Sequence, residues 1–189
     1  LVALGFVLIY KASGVFNFAQ GALVFLAAAT FVGLQEYGMG FWTAFGVTLL
    51  VMMAGAVLTE RFVLRKLINQ PQITLFMATI GLTFFLEGVT QMVWGSNPRA
   101  LEIGIDDRPV EWLAEATGIN ISQFDLFAAG VSGLLVALLA LLFQKTKVGR
   151  ALRAVADDHQ AALSIGIPLK YIWAVVWSIA GFVAFVSGI

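Results

Sequence analysis

The chain has 189 residues, of which 60% are hydrophobic and 12% charged; eleven basic residues balance eleven acidic ones, and there is one histidine and no cysteine. Soluble domains carry about 25% charged residues, so this composition, with a mean hydropathy of +0.94, excludes an ordinary water-soluble domain. The zero net charge gives no footprint for nucleic acid. The absence of cysteine removes disulfide and thiolate chemistry, and His159 alone is no basis for a zinc or haem site or any other metal or cofactor.

Several windows of about 20 residues hold one charge or none, the signature of transmembrane helices. Residues 1–10 are apolar but too short to cross a hydrocarbon core of about 30 Å. They read as the tail of a span that Lys11 closes. Residues 12–21, ASGVFNFAQG, are too apolar for a water-exposed loop and are broken by two glycines. Asn17 and Gln20 have the spacing of an N-cap and its N3 partner, which predicts a helix over 18–34. A break of this kind also suits a transport path, where polar groups and backbone face a cavity.

A turn at 35–40 with Glu36 leads to an uncharged span at 41–59. A polar connection at 60–72 holds Arg61, Arg65 and Lys66 and ends after Pro71. The span at 73–94, about 33 Å long as a helix, carries one carboxylate, Glu87. The longest polar connection, 95–123, sets Glu102, Asp106, Asp107, Glu111 and Glu115 against Arg99 and Arg108. Asp125 opens a span that runs to 143, and an uncharged span fills 171–189. The expected fold is an all-α polytopic transmembrane bundle, one domain over 1–189. It has about six spans, the first truncated, and is expected to continue beyond both ends.

The basic residues test this parsing. Lys11, then Arg61, Arg65 and Lys66, then Lys145, Lys147, Arg150, Arg153 and Lys170 fall in alternate connections, hence on one side. Only Arg99 and Arg108 fall on the other. The positive-inside rule makes the first side cytoplasmic and 95–124 external. Small residues four apart, at Ala129, Gly133 and Ala137 and at Ala180, Ala184 and Gly188, allow close helix packing.

Glu87 is costly at mid-bilayer, about 2.5–3.5 kcal/mol on insertion scales. It is expected to face the bundle or a cavity, with Gln91 one turn on. With Asn17 and Gln20 these are the candidate translocation-path residues. An ion-coupled secondary transporter using Glu87 is the alternative reading. There is no nucleophile–base pair and no phosphate-binding glycine loop, so the chain does not bind ATP by a P-loop.

Residues 145–170, KTKVGRALRAVADDHQAALSIGIPLK, are polar yet helical in pattern. Arg150, Arg153, Asp157, Gln160 and Ser164 form one polar face; Val148, Leu152, Val155, Ala162 and Leu163 form a smaller apolar one. Gly149 is placed as the N-cap and Gly166, before Pro168, as the stop. Such a helix anchors in the headgroups of the bilayer or docks a soluble partner.

The run from Gly149 to Asp158, followed by Gln160 to Ile167, resembles the cytoplasmic loop of bacterial ATP-binding-cassette permeases for branched-chain amino acids. Ala161-Ala162 with Gly166 keeps the E-A-A-x-x-x-G spacing of importers, with Gln160 in place of the glutamate. Residues 14–21 and 81–99 resemble the same family, and the resemblance covers the whole chain. It implies a permease subunit that is not itself an enzyme, in the inner membrane. Its implied partners are a second homologous permease subunit, two cytoplasmic ATP-binding subunits and a periplasmic substrate-binding protein. It also implies a coupling role for Gly149, Arg150, Arg153, Asp157, Gln160, Ala161, Ala162 and Gly166.

Overall fold

The computed structural model describes residues 1–13, 16–67, 70–99, 108–110, 120–157 and 169–189. Their helices are α1 (Val2–Ser13), α2 (Gln20–Glu36), α3 (Phe41–Phe62), α4 (Gln72–Trp94), α5 (Gln123–Lys145), α6 (Lys147–Asp157) and α7 (Leu169–Gly188). A 3-10 turn, Leu64–Leu67, follows α3. Among the described residues no strand forms; one isolated bridge joins Pro109 to Ser122. Four helical segments are long and apolar enough to cross a membrane: Phe41–Leu67, Gln72–Trp94, Gln123–Lys145 and Tyr171–Gly188. The all-α membrane architecture expected from the sequence is therefore present. Apolar α2 has 17 residues, the predicted length, but is shifted two residues along the chain from the predicted 18–34.

α7 is the hub, packed against α1, α2, α3 and α6. Ile172, Trp173, Val176, Trp177, Ala180, Val183 and Ala184 are all buried, a broad face recurring at helical period. Lipid tails are as apolar as these side chains, so helix association depends on close van der Waals approach. A Cβ on Gly181 would lie 2.8 Å from the Ala56 Cβ of α3, and one on Gly188 would lie 2.7 Å from the Val24 carbonyl of α2. The stripe at Ala180, Ala184 and Gly188 thus packs as its spacing predicted. The matching stripe on α5 does not: Ala129, Gly133 and Ala137 are exposed, and a Cβ on Gly133 would meet nothing within 4 Å. Leu135 is the one buried residue among those described on α5.

The end of α3 departs from the expected polar connection. Glu60 lies within the helix and is fully buried. The 3-10 turn folds Arg65 back onto it, with Nε 3.0 Å from Oε1 and Nη2 2.9 Å from Oε2. A buried carboxylate is tolerated only when paired and hydrogen-bonded, and this fork supplies both.

Gly181→Leu is expected to cost about 1–3 kcal/mol through overpacking against α3, read as a lower melting temperature in detergent. Gly133→Leu, which meets only open space, is expected to leave that temperature unchanged or slightly raised. Equal losses in both variants would refute the contrast between the two stripes.

Candidate translocation path and coupling helix

The first part of the site is the start of α2. Gln20 Nε2 donates to the Ala180 carbonyl at 3.4 Å. Ala180 lies about 16 Å along α7 from its start, so α2 begins deep within the bundle. The Thr79 hydroxyl reaches the Phe16 carbonyl at 3.4 Å, which places the preceding segment beside α4 at a similar depth. Residues 16–19 are therefore non-helical backbone inside a membrane bundle, tolerated only where protein or a cavity supplies partners.

Asn17 and Gln20 are fully buried there. Asn17 Oδ1 accepts from the Ala19 N–H at 3.1 Å, and its Nδ2 donates to Gln20 Oε1 at 3.2 Å. The predicted cap relation is displaced by two residues. Ala19 is the N-cap and carries no side-chain cap bond, while Asn17 makes an Asx-type turn just before it. The displacement follows from Gln20, whose side chain is committed to α7 rather than to the Asn17 backbone. Gly5 of α1 makes room for it: a Cβ there would overlap the Gln20 amide.

Glu87 and Gln91 lie one turn apart on α4, beside the buried seam of Leu75, Thr79, Leu82, Leu86 and Thr90. Glu87 is half-buried and Gln91 exposed. Neither side chain makes a hydrogen bond or ion pair among the described residues, and no hydrogen bond joins them to Asn17 or Gln20. At the far end of α2, Trp94 Nε1 donates to the Thr30 hydroxyl at 3.2 Å, and its ring sits on Gly33, where a Cβ would overlap it. Arg99 then pairs with Glu36 at 2.7 Å and donates to the Trp94 carbonyl. Nothing in the sequence spacing pointed to this tie between two connections, or to the Glu60–Arg65 pair.

The second part is α6. It begins at Lys147, three residues before the start that a cap at Gly149 would give, and Gly149 is not its cap. Thr146 is: its Oγ1 accepts from the Gly149 N–H at 2.9 Å and donates to the Leu142 carbonyl at 2.6 Å. Gly149 is buried, and a Cβ there would overlap the Leu142 and Phe143 carbonyls of α5. A chain that turns this sharply onto the end of α5 needs the missing side chain more than it needs a cap. Leu152 and Val155 are buried in the core, as the apolar face predicted. Arg150, Arg153 and Asp157 are exposed, but Arg153 is engaged: its guanidinium donates to the Phe143 carbonyl. The other residues expected to couple, Gln160, Ala161, Ala162 and Gly166, lie outside the described residues. Among the described residues no acidic or histidine cluster capable of holding a metal is present.

Gln20→Leu is expected to leave the Asn17 amide short of a buried partner, at about 1–3 kcal/mol, and to lower thermal stability. An unchanged melting temperature would mean that the Asn17–Gln20 pair does not hold α2 in place.

The family described as "Branched-chain amino acid transport system / permease component" matches residues 1–189. The chain is 24% identical over its full length to the high-affinity branched-chain amino acid transport system permease protein BraD of Pseudomonas aeruginosa, covering 64% of that protein. It is also 24% identical to the corresponding permease LivH of Escherichia coli, again over 64% of its length. It is 25% identical to the fructose import permease protein FruF of Bifidobacterium longum, over 50% of that protein. The chain thus spans just under two thirds of the length of the branched-chain relatives, and no solved structure matches it. With the helical membrane bundle and a family match over every residue, the chain belongs to the branched-chain amino acid transport system permease family.

Proposed function

We propose that the chain is a permease subunit of an ATP-driven importer that carries branched-chain or related amino acids across the bacterial inner membrane. The full-length family match carries this reading. Within it, a second permease subunit completes the path, two ATP-binding subunits dock from the cytoplasm and a binding protein delivers solute from outside. The basic connections are cytoplasmic and 95–124 external, in line with the positive-inside rule. ATP binding closes the ATPases, α6 receives that motion, and the path alternates between its two openings. Asn17, Gln20, Glu87 and Gln91 are the polar groups assigned to the path; Gly149, Arg150, Arg153, Asp157, Gln160, Ala161, Ala162 and Gly166 are assigned to coupling.

The relatives set the substrate question. BraD and LivH are named for branched-chain amino acids and FruF for fructose. Uptake of leucine, isoleucine and valine against fructose, in vesicles holding the complete importer, decides between these solutes. Uptake is expected to need the ATPases. Uptake driven by a proton or sodium gradient without them would refute the importer reading and favour an ion-coupled carrier.

Two further outcomes are expected. A single cysteine at position 147 should resist impermeant labelling in sealed cells, while one at position 99 should label; labelling at 147 would overturn the orientation. Glu87→Gln should insert normally, since it removes a charge that is costly in the bilayer, and should reduce uptake. Full uptake would reduce Glu87 to a packing role.

A further inference from the structure

α5 is held least by the rest of the bundle. Apart from Leu135 its described residues are exposed or half-buried, and its main packing partner is α6. A groove of about 410 Å³ separates it from α7, lined by Leu135, Leu138, Leu142, Ala174, Val175 and Phe182 with others. α6, by contrast, is anchored: Leu152 and Val155 belong to the same core cluster as Ile9 of α1 and Ile172 of α7.

The junction between α5 and α6 is tied by hydrogen bonds at the carbonyl end of α5. The last four carbonyls of a helix have no donor within it, and the helix dipole makes that end attractive to cations. At the end of α5, Leu142 O takes the Thr146 hydroxyl and Phe143 O takes the Arg153 guanidinium. Thr146 in turn accepts the Gly149 N–H, and Gly149 lets α6 lie directly on those carbonyls. One arginine ten residues away in sequence thus ties α6 to the end of α5. The side chain of Arg150, one turn away, makes no hydrogen bond or ion pair among the described residues; its backbone N–H donates to the Thr146 carbonyl.

We propose that Thr146, Gly149 and Arg153 make α5 and α6 a single elbow, so that a force applied to α6 moves α5 across the α5–α7 groove. Arg153 is a positioning residue within this elbow, and Arg150 is the arginine that meets the ATPase. The proposal rests on the importer reading above, and it divides two arginines that share one face of the helix by what each one holds.

The test uses the full-length chain assembled with its companion permease, ATPases and binding protein in vesicles, and measures ATPase co-purification and solute moved per ATP. Arg153→Gln is expected to retain the ATPases and their hydrolysis while solute moved per ATP falls about fivefold or more. Arg153→Lys, which still donates to the Phe143 carbonyl, is expected to recover most of that ratio. Arg150→Gln is expected instead to weaken co-purification, with the ratio unchanged in the complexes that form. Spin labels at positions 141 and 157 should give one narrow distance distribution in the parent chain and a broad one in Arg153→Gln. Loss of ATPase binding in Arg153→Gln, an unchanged ratio, or an unchanged distance distribution would each overturn the elbow. Uptake by the parent assembly that does not need ATP would sink the importer reading itself, a separate outcome.

Discussion

Starting α2 level with Ala180, inside the length of α7, removes its first N–H groups from water. Lipid offers them no partner, and each unsatisfied group there costs several kcal/mol. Asn17 meets part of that demand, its Oδ1 accepting from the Ala19 N–H and its backbone carbonyl from the Gln20 N–H, while the Gln20 side chain accepts from the Asn17 amide and donates to a carbonyl of α7. Much else depends on this solution. Gly5 of α1 must lack a side chain so that the Gln20 amide fits, α2 must be short, and α7 must stand at the centre of the bundle to receive it. The two polar residues that stabilise the break also belong to the set proposed for the path.

The rest of the bundle follows from the small residues of α7. Ala180, Gly181, Ala184 and Gly188 let α2 and α3 close on the same helix, and the larger Trp173, Trp177 and Phe185 fill the spaces between them. α5 takes no part in this packing. Its one firm attachment among the described residues is the turn at Thr146. A helix held at one end by hydrogen bonds and elsewhere by a single buried leucine has few contacts to break when it moves.

Much of this was legible in the sequence. Charge-free windows marked the spans, and the alternation of basic connections agreed with their order. The amphipathic pattern after Thr146 marked α6, and its apolar positions Leu152 and Val155 are buried as their spacing required. What could not be read were partners distant in the chain or shifted in register. Asn17 and Gln20 have the spacing of a capping box, yet Gln20 is taken by Ala180, 160 residues on. Glu60 stands among basic residues and reads as part of a polar loop, but one more helical turn carries it into the core, where Arg65 covers it. Arg153 has the pattern of an exposed docking residue; only the turn at Thr146 brings it to a carbonyl ten residues earlier. Periodicity reports which face a residue occupies, not which group it bonds.

Trp94 and Gly33 illustrate what such a contact imposes over evolutionary time. The indole lies where a Cβ on Gly33 would be, and Thr30 holds its nitrogen. Any side chain at 33 collides with the ring, and any smaller residue at 94 leaves a void between α2 and α4 that packing in lipid cannot make good. Neither position can change first without loss. Across homologues the two sites should therefore substitute together or not at all, a covariation that ties the C-terminal halves of α2 and α4 as a single inherited unit.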